Sequence, residues 1–433
     1  MLRRTTLKLM ATLTATSLLP FGAFAEMPKT VDKPVTISFY NYNLASAGAG
    51  SEATKELIAN FEKKNPNIKV ETVAVPSNEI INRVQADVVA GKQPDVAQLT
   101  FRDLIFIASD LGGNALEDMV SPAELKEHLT GMFPKGLELG KVDGKTYGLA
   151  YTFSTPILYY NADLFKAAGL DPNNPPKTLD EFVAAGQKIA KLDGAGNITV
   201  AGSTLDMGGQ DHQWWREVLI RQFGGVPYKD GDTKVTYNDE AGLKALNFYT
   251  SLQTEKKIGK AGFMDEGQAA FRAGKAGMTI DGTFRLGSFK TIKDFEWGVT
   301  ELPANAQGVR SNYASYFANG ISAKTKGEEL EASKKFLAYI SSPAAMDIWL
   351  KTVGELPALR SAALTEANLK DPIYAPFLKG LEYAHTTLFK DELGQRQNAI
   401  DMVNRVYLEG QSTKDSLAQA AEAEQEMIDA AKP

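Results

Sequence analysis

Strand and helix patterns alternate along the first part of the chain. Residues 35–40 alternate between apolar and polar side chains as a strand does, and residues 51–64 have the apolar spacing of a helix. Residues 68–75, 78–90 and 95–99 repeat the series as strand, helix and strand. Strands joined by single helices pair in parallel, with helices on the faces of the sheet. The sequence therefore predicts an α/β fold, in which ligands bind at the carboxyl ends of strands.

The length of the chain indicates more than one hydrophobic core. Its 433 residues exceed what a single core usually organises, so we expect two lobes. The strand-and-helix pattern resumes after the proline-rich loop at 172–176, where Thr178 opens a helix as an N-cap residue. From residue 328 onward the pattern is largely helical.

The first residues have the pattern of a secretory signal peptide. Basic residues precede an uncharged, mostly apolar stretch that ends with Ala23-Phe24-Ala25, the small-x-small pattern that a signal peptidase recognises. We expect residues 1–25 to be removed. The mature protein is expected in the periplasm, because no cysteine is present to carry a lipid anchor. The adjacent Arg3 and Arg4 leave the general and the twin-arginine export routes both open.

The composition excludes several chemistries. Cysteine is absent, so the chain has no disulfides, thiol catalysis or thiolate metal sites. The three histidines, His128, His212 and His385, are too far apart in sequence to show metal-ligand spacing. The formal net charge of −6 gives no basic face for nucleic acid or an anionic membrane. We expect no metal, no cofactor and no nucleic-acid partner.

Short motifs occur in the order that is typical of one protein family. They are Gly144-Lys-Thr-Tyr-Gly148, Leu158-Tyr-Tyr-Asn161, Pro176-Lys-Thr-Leu-Asp-Glu-Phe182, the segment 271–282, and Gly354-Glu-Leu-Pro357. Each is weak alone, but the ordered set spans most of the chain behind the leader. The sequence resembles the extracellular solute-binding proteins of carbohydrate ABC importers, the maltose-binding protein-like family 1.

This resemblance implies a two-lobed periplasmic-binding-protein fold with a hinge and an interlobe ligand cleft. The expected lobes are residues 26–151 with 299–350 and residues 152–298 with 351–433, and the expected crossings lie near 150–153 and 297–303. It also implies a monomeric binding protein and not an enzyme. The protein would capture a sugar, glycoside or polyol and deliver it to the permease subunits of an ABC transporter.

A sugar offers hydroxyl groups and flat C–H faces, so its site combines polar side chains with aromatic rings. The resemblance implies stacking rings at Trp214 and Phe284, and it leaves Trp215 in the core. The candidate ligand-binding residues are Tyr42, Asn43, Thr100, Arg102, Ser154, Trp214, Asp281, Phe284, Ser315, Tyr316, Glu355 and Arg396. For each of them a purely structural role, as a cap, a strand end or a packing residue, stays open.

Alternative functions also stay open. Arg102 and Arg396 suit a glycerol-phosphate or another anionic sugar, because guanidinium binds such groups in a bidentate manner, whereas Glu355 would repel a phosphate. A secreted glycoside hydrolase needs two carboxylates across a cleft, and the acidic residues are too numerous for spacing to exclude this. A sensory role on the same fold is also open.

Overall fold

The structure is a computed structural model and describes residues 31–76, 79–100, 113–133, 140–142, 144–387 and 389–430. The backbone of Thr100 is described but its side chain is not. The predicted signal peptide and the candidate residue Arg102 lie outside the described residues.

The strands and helices follow one another through the whole described chain. The strands are β1 (Val35–Asn41), β2 (Ile68–Ala74), β3 (Val96–Thr100), β4 (Lys141–Val142), β5 (Lys145–Thr146), β6 (Leu149–Ser154), β7 (Ile157–Asn161), β8 (Lys191–Leu192), β9 (Ile198–Val200), β10 (Tyr228–Lys229), β11 (Lys234–Val235), β12 (Met278–Asp281), β13 (Trp297–Thr300), β14 (Asn312–Tyr313), β15 (Ser315–Ile321), β16 (Leu356–Pro357) and β17 (Ala384–His385). The helices are α1 (Ala49–Lys64), α2 (Ile80–Val89), α3 (Pro122–Thr130), α4 (Ala162–Ala167), α5 (Leu179–Ile189), α6 (Ile220–Gln222), α7 (Glu240–Thr254), α8 (Gly267–Arg272), α9 (Leu286–Phe289), α10 (Gly327–Ile340), α11 (Pro343–Thr352), α12 (Arg360–Ala363), α13 (Glu366–Lys370), α14 (Tyr374–Glu382), α15 (Glu392–Tyr407) and α16 (Thr413–Ala430). Met207–Asp211 and Trp214–Leu219 form wider π-type helical turns before α6.

The first lobe contains a six-stranded sheet in the order β16-β6-β15-β3-β1-β2. β1 pairs in parallel with both β2 and β3, as the strand-helix-strand pattern predicts. β15 is antiparallel to β3 and to β6, because the chain returns to this sheet from the other lobe. The carboxyl ends of β1, β3 and β6 therefore lie at one edge of the sheet, which faces the second lobe.

The core of the first lobe forms where α1 and α10 cover this sheet. Leu57 and Phe61 of α1 are buried, one turn apart on the same helix face. The rings of Phe39 and Phe61 each contact the ring of Phe336 with 5.0 Å between centroids. The packing of these aromatic residues fixes both helices on the sheet.

The second lobe contains a three-stranded sheet in the order β12-β7-β13, and both pairings are antiparallel. Ile157 pairs with Asp281 at one end of the central strand β7, and Asn161 pairs with Trp297 at the other end. On α5, Thr178 and Glu181 form a capping box, in which each side chain accepts a hydrogen bond from the backbone of the other. The α/β character predicted for this region is present, but its sheet is antiparallel.

The connections between the lobes correct the predicted boundaries. β6 stays in the first sheet to Ser154, so the first crossing is at Thr155–Pro156 and not at 150–153. The segment 297–303 is not a crossing, because β13 pairs with β7 in the second sheet, and the chain returns at Ala314 before β15. β16 pairs with β6, so residues 351–357 belong to the first lobe. An extended pattern in the sequence does not reveal which sheet it joins.

No helix in the described part of the chain is both long enough and apolar enough to cross a bilayer.

Candidate functional site

The two lobes meet at a tight turn that follows β12. The hydroxyl of Thr283 in this turn donates to the hydroxyl oxygen of Ser154 at 2.9 Å, and Ser154 is the last residue of β6. A Cβ atom added to Gly282 would lie 2.8 Å from the Ser154 oxygen and would overlap the ring of Phe284. Glycine at 282 is therefore what allows the turn to approach the crossing this closely.

Asp281 holds the turn in place from the end of β12. One of its carboxylate oxygens accepts from the backbone N–H of Gly282 at 2.8 Å, and the other accepts from Nε of Arg285 at 2.9 Å. Burial raises the pKa of Asp281 to about 6, and the Arg285 guanidinium and the Gly282 N–H act in the opposite direction. The carboxylate is thus fixed in one orientation beside the turn.

Phe284 is the exposed aromatic ring of this turn. It is 36% exposed, which is unusual for phenylalanine, and the guanidinium of Arg285 lies 5.1 Å from its ring centroid. The ring is therefore partly open to solvent beside the Arg285 guanidinium, whereas the Asp281 carboxylate and the Ser154 and Thr283 hydroxyl groups next to it are buried. This combination of an apolar face with hydrogen-bonding groups suits a polyhydroxylated guest.

Glu355 lies on the first-lobe side of the same turn. The preceding Gly354 has a φ of +97°, and a Cβ atom there would lie 3.1 Å from Cβ of Leu286, so the two lobes are in contact at this glycine. One carboxylate oxygen of Glu355 accepts from the indole N–H of Trp349 at 2.5 Å and from the Thr152 hydroxyl at 3.1 Å. Burial raises the pKa of Glu355 to about 7, against these two hydrogen bonds.

Tyr42 and Asn43 follow β1 and lie beside the hydroxyl of Tyr151. Nε2 of Gln98 donates to that hydroxyl oxygen at 2.5 Å, and Oε1 of Gln98 accepts from the backbone N–H of Tyr42 at 3.3 Å. Nδ2 of Asn43 is buried and has no hydrogen-bond partner among the described residues. A buried unpaired donor at a strand end is a group that a ligand or a water can satisfy.

Ser315 and Tyr316 begin β15, but only Ser315 is open. The Ser315 hydroxyl donates to the backbone oxygen of Ser154 at 3.4 Å, so it lies near the turn. Tyr316 is 0% exposed and pairs with Phe153 inside the first sheet. The prediction of Tyr316 as a ligand contact is corrected, because its side chain points into the core.

The prediction that Trp214 stacks on the ligand is also corrected, because its ring is 1% exposed. It packs edge-on against Phe182, with 5.6 Å between ring centroids, and against Tyr249, with 6.1 Å. Trp215, which was expected in the core, packs against Tyr237 on another side of the same helical segment. Both faces of this segment are covered by other elements of the second lobe, so neither indole has a face free for stacking.

Arg396 lies in the second lobe, one turn after Glu392 on α15. Its Nε and Nη2 both donate to one oxygen of Glu392, at 3.0 and 2.5 Å. Glu392 in turn lies 3.6 Å from Nε2 of His212. Burial acts to raise the pKa of the Glu392 carboxyl, but His212 and Arg396 together lower it to about 2. The positive charge of Arg396 is thus matched within the protein.

The structure gathers the candidate residues into two groups. Ser154, Asp281, Phe284 and Ser315 surround the turn after β12, whereas Tyr42, Asn43 and Glu355 surround Tyr151 at the carboxyl ends of the first-lobe strands. Gly354 connects the two groups, because it contacts Leu286 of the turn. Arg396 and Trp214 belong to neither group.

Sequence reasoning missed Arg285, Thr283, Gln98 and Tyr151. Arg285 follows Asp281 by four residues, a spacing that brings two side chains together on one helical turn and was a usable signal. Gln98 and Tyr151 are 53 residues apart, and no local pattern indicates their contact. Within the described ranges, no group of three or more His, Cys, Asp or Glu side chains is arranged to hold a metal ion.

Two α/β lobes that meet at an aromatic and polar site define a two-lobed binding protein of the periplasmic type. Residues 56–376 match the profile of the bacterial extracellular solute-binding proteins. The chain belongs to this family, and it is a solute-binding protein of the ABC-importer kind.

Relatives and solved structures agree with this assignment. The galactooligosaccharide-binding protein of Bacillus subtilis is 24% identical over 394 residues, which cover 88% of this chain and 87% of that protein. The cyclic alpha-maltosyl-1,6-maltose binding protein from Arthrobacter globiformis has a TM-score of 0.78 at 22% identity and covers 91% of this chain and 99% of its own. A glycerophosphocholine complex from Mycobacterium tuberculosis has a TM-score of 0.77 at 20% identity, with 92% and 99% covered. The two solved structures show the shared two-lobed fold.

Proposed function

We propose that the protein is the periplasmic substrate-binding component of an ABC importer for a neutral sugar, glycoside or polyol. It binds its ligand between the lobes as a monomer and delivers it to the permease in the inner membrane, without catalysing a reaction. The family supports the transport role, and the galactooligosaccharide-binding relative supports the ligand class. The observation that carries the proposal is the exposed ring of Phe284 among polar groups where the lobes meet.

The charges near the site favour a neutral ligand over an anionic one. Arg285 is paired with Asp281, and Arg396 is paired with Glu392, so neither guanidinium carries an unmatched charge. Glu355 adds a further acidic group on the first-lobe side. A phosphate would have to displace one of these carboxylates and would meet the repulsion of another.

An anionic sugar is the second candidate within this function. The solved structure with glycerophosphocholine has the same fold, and Arg285 is 29% exposed beside the turn. If the protein binds glycerol-3-phosphate or glycerophosphocholine more tightly than neutral sugars, its ligand is an anionic sugar and not a neutral one.

Hydrolysis is not part of the proposal. Among the described residues, Asp281 and Glu355 are the carboxylates at the meeting point, and each is fixed by two donors, as in a binding site. Incubation of the purified protein with the sugars that it binds, followed by chromatography, is expected to return them intact. Release of smaller sugars at a rate proportional to protein concentration would establish an enzyme instead.

The central experiment combines a thermal-shift screen with calorimetry on Phe284→Ala. Neutral oligosaccharides, polyols and sugar phosphates are screened first, and the best ligand is then titrated. Loss of one stacking ring costs about 1 kcal/mol or more, so Kd is expected to rise about tenfold. The unfolding temperature should change little, because the ring is 36% exposed.

Leu408→Ala is the matched control for this measurement. Leu408 is an apolar side chain that is 79% exposed at the end of α15, away from the turn. Its removal should leave Kd unchanged. Equal affinities for wild type and Phe284→Ala would show that the turn after β12 is not part of the ligand site.

A further inference from the structure

A groove lies on the second lobe at the end of its sheet opposite to Asp281. Its lining includes Tyr160, Lys166, Asn173, Phe295, Glu296 and Trp297, and its volume is about 550 Å³. Asp281 pairs with Ile157 at the start of β7, whereas Trp297 pairs with Asn161 at its end. Four residues of strand separate these two pairs by roughly 13 Å, so this Trp297 groove is separate from the interlobe site.

The ring of Tyr160 covers a glycine on the neighbouring strand. Tyr160 pairs with Gly298, and a Cβ atom added to Gly298 would overlap the Tyr160 hydroxyl oxygen and Cζ. The absence of a side chain at 298 therefore lets the ring lie across the strand. Tyr160 is only partly buried, so the ring remains partly exposed in the groove.

The polar ends of two aromatic residues in the groove have no hydrogen-bond partner among the residues that the structure describes. Neither the hydroxyl of Tyr160 nor the indole N–H of Trp297 forms a hydrogen bond with another described residue, although both rings pack against aromatic neighbours. Trp297 contacts Tyr159 with 6.0 Å between centroids, and Tyr160 contacts Phe165 with 5.3 Å. Aromatic rings with unpaired polar ends are equipped to bind an amphipathic guest.

The charges in the groove cancel each other. Nζ of Lys166 lies 2.6 Å from a carboxylate oxygen of Glu296, so this pair offers hydrogen-bonding groups without net charge. Asn173 is held in the groove wall, because its backbone N–H and its side-chain amide both donate to Asp171. Its amide oxygen remains as an acceptor.

We propose that the Trp297 groove is a second binding site for a neutral saccharide. The flat faces of the sugar lie against Tyr160 and Trp297, and its hydroxyls reach the Tyr160 hydroxyl, the indole N–H, Asn173 and the Lys166–Glu296 pair. The volume lies within the range of small-molecule sites. The site does not depend on the interlobe site, so either one can bind sugar without the other.

Titration in the Phe284→Ala background, in which the interlobe site binds sugar about tenfold more weakly, tests whether the groove adds a separate binding event. Maltotriose, raffinose and mannotriose serve as probes, and tryptophan fluorescence reports binding because Trp214, Trp215 and Trp349 are buried whereas Trp297 is partly exposed. We expect a saturable fluorescence change with at least one probe. Tyr160→Leu keeps an apolar cover on Gly298 but loses the flat ring and the hydroxyl, so it should weaken binding by about fivefold or more.

Tyr147→Leu, at a partly exposed tyrosine of the first lobe, is the matched control and should bind like its parent. Gly298→Ala gives a second test, because the methyl group displaces the Tyr160 ring without removing it. The proposal is overturned if no probe gives a saturable change, or if Tyr160→Leu and Gly298→Ala both bind like the control. If these variants impair import in cells without altering sugar binding, the groove contacts a protein partner and the saccharide proposal is wrong.

Discussion

The first lobe closes its core mainly with apolar side chains around six strands, whereas the second lobe buries a group of charged side chains beside only three. This charged network consists of His212, Arg216, Glu217, Glu392 and Glu424, each at most 2% exposed. In the described part of the first lobe, the buried acidic or basic side chains are Glu355 and Lys334, at 6% and 9%. The lobes therefore differ in what holds them together.

The charged network joins the last two helices to the rest of the second lobe. Glu424 of α16 accepts from the hydroxyl of Tyr237 at 2.6 Å, from Gln395 at 2.7 Å and from the hydroxyl of Tyr228. Arg216 lies 3.6 Å from Glu424 and 4.4 Å from the ring centroid of Phe389. The small sheet offers limited apolar surface, so these helices are fixed in part by polar contacts that tolerate little change.

The largest expected effect comes from removing the cation of the network. Arg216→Met leaves the buried Glu424 without its counter-charge, and breaking such a pair typically costs about 3–5 kcal/mol. Chemical denaturation should show this loss in the unfolding of the second lobe.

Lys334→Met is the matched change in the first lobe. Lys334 pairs with Glu331 at 2.9 Å, and the two side chains are 11% and 25% exposed, so the loss should be about 1 kcal/mol or less. Equal effects of the two substitutions would contradict the contrast between the lobes.

Trp214→Ala tests whether this ring is a core residue or a ligand contact. Truncation of a buried tryptophan costs about 3–5 kcal/mol, so thermal unfolding should begin at a clearly lower temperature. At temperatures where the variant stays folded, its affinity for sugar should remain close to that of wild type. A stable variant with tenfold weaker binding would restore the stacking role that the structure does not support.

A smaller effect on the free energy of unfolding comes from Glu355 in the first lobe, and it depends on pH. Burial raises the pKa of Glu355 from 4.5 in the unfolded chain to about 7 in the folded protein, so the folded state binds more protons between these values. The contribution of Glu355 to the stability of the folded state is fully present below pH 4.5 and is lost as the pH rises to about 7. The loss is on the order of 3 kcal/mol.

Glu355→Gln should remove this dependence, because the amide does not titrate. Denaturation of both proteins across pH 4.5 to 7 is expected to show a stability difference that shifts in favour of the variant as the pH rises. Asp281→Asn should change the pH dependence of stability in the same direction over a lower pH range, since folding raises the pKa of Asp281 from 3.8 to about 6. Parallel pH profiles for wild type and Glu355→Gln would show that Glu355 is not buried as described.

Local patterns in the sequence predicted much of the fold. The alternation of strand and helix in the first lobe and the Thr178 cap depend on neighbouring residues, so they can be recognised from short segments. Phe284 became a candidate only through the family resemblance, and the structure places it just after β12. The pairing of Arg396 with Glu392 spans four residues and was also within reach of local reasoning.

The sequence by itself indicated an α/β fold with two lobes, because side-chain period acts over a few residues and the chain is too long for one core. Only the tertiary structure decided that β13 joins β7, that Trp214 points into the core, and that His212 meets Glu392 across 180 residues of chain. These outcomes depend on which surfaces cover each other after folding. Burial and long-range pairing are properties of the whole packed chain, and no short segment carries them.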